Sequence, residues 1–243
     1  MAQTTYLITG ANKGIGRAMV QQLLQRANTS VIACVRQPND PTGASLKEIA
    51  VAESNRLVLV QLRDPADYAA LPQTLAAQAV ARIDVVIANA GHSTGLDKSL
   101  LETTVDDVVY DCTVNAAGPL RLFAATWPLQ EVSAAETPAA TRFILISSTL
   151  GSLGVQDQES MPVGVSYGMS KAAANWFAKK LSIDFKDKGL VTYMGQALAD
   201  ALGIKEPPIT ADESAQLCLE QIDDWTPEKN GKFLTYTGKE LPW

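Results

Sequence analysis

Thr9-Gly10-Ala11-Asn12-Lys13-Gly14-Ile15-Gly16 decides the fold of this chain. It follows the apolar run Tyr6-Leu7-Ile8, which reads as a buried strand. It precedes Arg17 to Arg26, where Ala18, Met19, Leu23 and Leu24 recur at helical spacing. Gly10, Gly14 and Gly16 therefore sit in a strand-to-helix turn. Glycine there permits unusual backbone angles and lets a phosphate approach the free N–H groups at a helix start. The spacing is G-x-x-x-G-x-G rather than the G-x-G-x-x-G of the standard dinucleotide fingerprint. A plain glycine turn has the same composition. The weight comes from its place at the first strand-helix junction.

Further along, strands and helices alternate. Strands are predicted at 4–9, Ser30–Val35, Arg56–Leu62, Ile83–Ala88 and Arg142–Ser147. Helices are predicted near 15–27, 64–80, 99–112 running on toward 130, and 165–187. The alternation implies a parallel sheet with helices on both faces, a single Rossmann-type doubly wound α/β domain over residues 1–243. Its strand C-termini share one edge, where ligands bind. Glu131 to Thr141, rich in Ala, Ser and Thr, reads as a loop. Thr210, with Glu213 three residues on, opens a helix, and Gly231 to Tyr236 reads as a last strand.

Composition narrows the function classes. A chain of 243 residues with 47% hydrophobic and 19% charged residues buries a full core. A net charge of −6 gives no support for nucleic-acid or anionic-membrane partners. No apolar run reaches the roughly 18 residues that span a bilayer. Cys34, Cys112 and Cys218 lack metal spacing and are too few for a disulfide framework. The expected setting is reducing and cytoplasmic, and the expected partner is a small molecule.

The chemistry-bearing stretch is Tyr167-Gly168-Met169-Ser170-Lys171. On a helix, residues four apart share a face, so the phenol and the ammonium can meet. A nearby ammonium favours the phenolate and is expected to lower the phenol's pKa from about 10. Such a pair can donate and accept protons, although a helix-face pair can also be only that.

Together with Asn89-Ala90-Gly91, Asn115 and Ser147-Ser148, these motifs resemble the short-chain dehydrogenase/reductase family along nearly the whole chain. Local stretches such as Val114-Asn115-Ala116-Ala117-Gly118-Pro119-Leu120 are most similar to its fungal-type and sniffer-like carbonyl reductases. The resemblance implies a carbonyl reductase or alcohol dehydrogenase that uses NADP(H). It makes Tyr167 the general acid and has Lys171 tune it and hold the nicotinamide ribose. It has Ser148 hold the substrate oxygen, with Ser147 as the alternative. Asn115 would kink its helix and hold a water linking Lys171 to solvent. The cofactor would lie on Gly10, Asn12, Lys13, Gly14, Ile15, Gly16 and Asn89-Ala90-Gly91. The substrate would be a ketone or aldehyde, with an aromatic or polyketide ketone as the finer expectation. The family also implies a homodimer or homotetramer built through the helices near 99–128 and 165–187. Leu120, Leu122, Phe123, Trp127, Trp176 and Phe177 would supply that surface or merely core.

Charge bears on cofactor choice. After the second strand, Val35 stands where an acid would hold the ribose hydroxyl of NAD, and Arg36 follows it. Arg36 and Lys13 suit a 2′-phosphate, unless both are solvated surface charges. Asp64 has two readings: an adenine contact, as the family implies, or the N-cap of a helix with Pro65 at its first position. His92, the only histidine, reads as a loop residue near the pocket.

Two departures stand against the family pattern. The gap from Ser148 to Tyr167 is long, with its excess around Gln156 to Pro162. After Lys188-Gly189, the sixth strand looks truncated over 189–196 and lacks the family's Pro-Gly pair. Residues 195–208 read as a substrate lid. The missing Pro-Gly pair would favour a rival reading, a weakened nucleotide-binding regulator, against which Ser148, Tyr167, Lys171 and Asn115 speak. A third reading is an isomerase or cyclase using the same pocket.

Overall fold

The computed structural model describes residues 3–137, 141–156, 164–196 and 209–243. Seven strands run in chain order: β1 (Thr4–Thr9), β2 (Thr29–Val35), β3 (Arg56–Gln61), β4 (Val85–Ala88), β5 (Thr141–Ser147), β6 (Leu190–Gln196) and β7 (Phe233–Leu234). The helices are α1 (Gly14–Leu23), α2 (Pro41–Ala44), α3 (Pro65–Ala77), α4 (Val105–Cys112), α5 (Gly118–Glu136), α6 (Leu153–Gln156), α7 (Val165–Asp184) and α8 (Ala211–Asp223). The strands form one sheet in the order β3-β2-β1-β4-β5-β6-β7. Every strand pair is parallel. The order reverses between β1 and β4, which opens a crevice beyond their C-terminal ends.

The period of two along each strand splits the core into two layers. From β1, Tyr6 and Ile8 pack with Met19 and Leu23 of α1 and Leu219 of α8. Leu7 points the other way, onto Leu71 of α3, Leu122 of α5 and Leu181 of α7. Because both faces are covered, β2 is buried at every residue. Each fully buried side chain such as Leu7 or Phe143 contributes roughly 1.5–3 kcal/mol of transfer free energy.

Four expectations are corrected. The sixth strand is not truncated: β6 has seven residues and pairs with β5 from Thr141↔Leu190 to Ser147↔Gln196. A short β6 would leave the β5 backbone without partners inside the sheet, and pairing along the whole length of β5 avoids that cost. The predicted loop from Glu131 is helical as far as Glu136. Alanine is the best helix former, and Ser133 faces inward to donate to the buried Asp84 carboxylate. The predicted helix over 99–112 starts only at Val105. There Thr104 and Asp107 form a capping box. The last strand is likewise shorter than predicted, Phe233–Leu234.

Leu241, Pro242 and Trp243 fold back across the sheet end. The Leu241 amide donates to the Phe233 carbonyl at 2.7 Å. The Ser152 hydroxyl donates to the Pro242 carbonyl at 2.6 Å, and the Gly154 amide to the Trp243 carbonyl at 2.9 Å. The Trp243 ring lies 6.1 Å from that of Phe233, and Lys179 Nζ lies 5.0 Å from the Trp243 ring. These residues therefore strap the segment that follows Ser148. The lid expected at 195–208 lies, from 197 onward, outside the described residues, as does most of the 156–162 excess.

Candidate active site

The glycine turn and the end of β4 are fitted to each other. Gly10 has a φ of +66°, a left-handed value that glycine adopts freely. A Cβ on Gly16 would stand 2.4 Å from the Gly10 carbonyl oxygen and 2.6 Å from Asn89 Nδ2. The space is needed because Asn89 Nδ2 donates to the Thr9 carbonyl at 3.0 Å. The Thr9 hydroxyl in turn accepts from the amides of Asn89 and Ala90, at 3.1 and 3.0 Å. The first and fourth strands are thus stapled at the crevice by the two motifs read separately in the sequence.

A cavity of about 1080 Å³ runs along this edge. That exceeds the roughly 300–1,000 Å³ of drug-sized sites and suits an extended ligand. Gly10, Asn12, Lys13, Gly14, Ile15, Gly16, Arg36, Asp64, Asn89, Ala90, Gly91, Tyr167 and Lys171 all line it. Asn12 donates to Thr42 at 2.7 Å, joining the turn to the segment after β2. Arg36 lines the same end as Lys13, and its charge helps hold the Asp40 carboxyl below its ordinary value, behind the hydrogen bonds from Gly43 and Thr42. Asp64 lines the wall and also caps α3, accepting from the Ala66 and Asp67 amides at 3.0 and 3.2 Å. Those bonds, foremost the one from Asp67, lower its pKa.

At the other end stand the proton-bearing groups. Helix α7 places Tyr167 and Lys171 on one face, with Lys171 Nζ 5.5 Å from the Tyr167 ring centre. Lys171 is buried and donates to the Ile146 carbonyl at 2.9 Å. Burial lowers its pKa to about 8. The expectation of a lowered Tyr167 pKa is reversed. Burial pushes the phenol up, Asp111 adds to the rise, and only the Ser148 hydrogen bond opposes it. The physical reason is desolvation of the phenolate, which outweighs that bond. Ser148 is the serine at the tyrosine. The Ser147 hydroxyl donates to Asn175, although its residue lines the cavity.

Asn115 sits in a π-helical turn, Thr113–Ala117, between α4 and α5. Such turns insert a residue into the helix and re-aim it. Its Nδ2 donates to the Ser170 hydroxyl at 2.8 Å and to the His92 carbonyl at 2.7 Å, and its Oδ1 accepts from the His92 amide at 2.8 Å. Missed in the sequence is Asp111, fully buried one turn earlier. It meets the His92 ring at 3.2 Å and accepts from the Thr94 and Ser166 hydroxyls at 2.7 Å each. The signal was present as a second helical four-spacing, Asp111 to Asn115, facing Ser166 and Ser170. No cluster able to hold a metal occurs among the described residues.

The sequence matches the short chain dehydrogenase family over residues 4–199. The chain belongs to the short-chain dehydrogenase family. Among its relatives, this dehydrogenase is 38% identical to the short chain dehydrogenase gsfK of Penicillium aethiopicum, over 98% of this chain and 99% of the relative. It is 34% identical to the norsolorinic acid ketoreductase nor1 of Dothistroma septosporum, over 99% and 93% of the two chains. Its fold superposes on the NADPH-bound carbonyl reductase from chicken fatty liver with a TM-score of 0.90, at 29% identity and full coverage of both chains. No described helix is long and apolar enough to cross a membrane.

Proposed function

We propose that this dehydrogenase reduces a ketone or aldehyde with NADP(H). The observation that carries the reading is the cavity itself. One end is the glycine turn with Lys13 and Arg36, and the other is the wall formed by Tyr167 and Lys171. The turn fits a dinucleotide: Gly10 and Gly14 hold left-handed φ values of +66° and +52°, and a side chain at Gly16 would collide with the Gly10 carbonyl, so glycine alone keeps this tight turn at the α1 N-terminus, where a pyrophosphate would bind. Lys13 and Arg36 would hold the 2′-phosphate, Arg36 in a bidentate grip. When bound, NADPH supplies the hydride.

The chain's own residues do the rest. Tyr167, buried and protonated, donates its proton to the carbonyl oxygen. Ser148 orients that phenol and binds the same oxygen. Lys171 holds the nicotinamide ribose. Asn115 has both amide protons committed, and its Oδ1 keeps one acceptor position for a water that resupplies the proton through Lys171. His92 and Tyr110, packed edge to face at 4.9 Å, and the apolar Leu96 line the substrate end, which favours an aromatic or polyketide ketone. Relatives named as norsolorinic acid ketoreductases support that choice. Leu120 and Trp176 are exposed, at 54% and 68%, and supply the surface for a homodimer or homotetramer. Leu122 and Phe123 belong to the core instead.

The test is a fluorescence titration of the protein with NADPH and with NADH, followed by NADPH consumption on an aromatic ketone panel. The expected result is NADPH binding at least tenfold tighter than NADH binding, and turnover that Tyr167→Phe abolishes without unfolding the protein. Binding without consumption would turn the reading toward proton chemistry alone. Binding of neither nucleotide would restore the regulator reading, which the missing Pro-Gly pair favours although β6 is full length.

A further inference from the structure

Asp111 presents a buried carboxylate that none of the roles above uses. It stands in the last turn of α4 with no exposed surface. Burying a carboxylate is costly unless it is fully hydrogen-bonded. Here its donors are drawn from two other parts of the chain. From the segment after β4 come the Thr94 hydroxyl at 2.7 Å, the Thr94 amide at 3.3 Å and the His92 ring nitrogen at 3.2 Å. From α7 comes the Ser166 hydroxyl at 2.7 Å.

The pattern repeats one turn on. Asn115 ties the same His92 segment to Ser170, whose hydroxyl donates to the Tyr167 carbonyl at 2.7 Å. Two residues four apart on one helix thus grip two serines four apart on another, and Tyr167 lies between those serines. Rotation or sliding of α7 would break both grips together. The aim of Tyr167 into the cavity is therefore fixed from α4. The grip also brings a negative charge close enough to oppose the phenolate, a cost that falls on the deprotonated form only.

We infer that Asp111 is a positioning residue: it seats α7 against the His92 segment, so that Tyr167 keeps its aim into the cavity, and it sets a carboxylate charge within the network that holds the phenol's helix. The inference rests on Tyr167 being the acid, as proposed above. The titratable groups around this carboxylate are His92 from the segment after β4, Tyr167 from α7, and Tyr110 and Cys112 on its own helix. Lys171 lies one turn beyond Tyr167. Among the described residues no lysine or arginine forms an ion pair with Asp111.

The test compares the wild type, Asp111→Asn and Ser166→Ala in NADPH-dependent reduction of phenanthrenequinone across pH. Asp111→Asn keeps the shape and removes the charge. It should move the alkaline loss of kcat down by about one pH unit, a tenfold change in proton concentration. Ser166→Ala keeps the charge and loosens the grip. It should lower kcat severalfold at every pH, with KM for NADPH unchanged and the inflection in place. An unmoved inflection in Asp111→Asn, or an unchanged kcat in Ser166→Ala, overturns the inference. If Asp111→Asn does not fold, the kcat of Ser166→Ala decides alone. Failure of the parent reading looks different: Tyr167→Phe would then match the wild type, or the wild type would not turn over. In that event tyrosine-ring NMR, with Tyr167 assigned by its Phe variant, still answers. Its ring must begin to titrate at lower pH in Asp111→Asn, and equal titration overturns the inference.

Discussion

A buried lysine and a buried tyrosine one turn apart impose opposite pH dependences on this protein. Burial lowers Lys171 from 10.5 to about 8. Between those values the unfolded chain still holds a proton that the folded chain has released, so this residue's contribution to stability rises with pH. Below about 8 the penalty for burying the ammonium is fully present, and above 10.5 it is gone. Lys171→Met should therefore gain on the wild type by a pH-dependent amount of order 3 kcal/mol near pH 7, shrinking toward pH 10. Urea unfolding of both proteins at the two pH values checks this. A constant gap would mean that the ammonium is not penalised. Tyr167, Cys34 and Cys218, all pushed up by burial, act in the opposite sense. They are shared by both proteins and cancel in the comparison.

Most elements whose ends are set by neighbouring residues were legible, although the local capping box of Thr104 and Asp107 at the start of α4 went unread; those set from across the molecule were not. Thr210 with Glu213 read correctly as a helix start, and Asp64 with Pro65 as one of two readings, because the partners lie within three residues. The glycine turn read correctly because its backbone need is local. The length of β6 is decided by β5, forty-nine residues earlier in register, and no pattern within Leu190–Gln196 announces it. Asp111 escaped notice because its donors lie 17, 19 and 55 residues away. At this scale the double role of Asp64 can be separated. Asp64→Ala should cost about 1 kcal/mol through loss of the α3 cap, whereas Asn caps nearly as well and should cost less than half of that. Thermal melts and NADPH titration of both variants check it. An Asp64→Asn protein that melts normally but binds NADPH tenfold more weakly would place the side chain on the cofactor instead.

Across the whole molecule, the site is assembled from four separate stretches: the turn after β1, the segment after β4, the segment after β5, and helix α7. Their relative placement depends on a sheet that has covered faces and a reversed strand order. The fold class could be read from the alternation, since strands joined through helices return as parallel crossovers that cover both faces of the sheet. The strap made by Leu241 to Trp243 gives this assembly a distant fastening. Its two bonds land on Ser152 and Gly154, just past the segment that carries Ser148. In hydrogen–deuterium exchange, therefore, Trp243→Ala should speed labelling across 148–156 severalfold and leave β1 to β4 at wild-type rates. Uniform acceleration would instead report general loss of stability. The amide of Gly154 thus serves as a clock for the far end of the chain: its exchange rate counts how often the last three residues let go of the segment that follows Ser148.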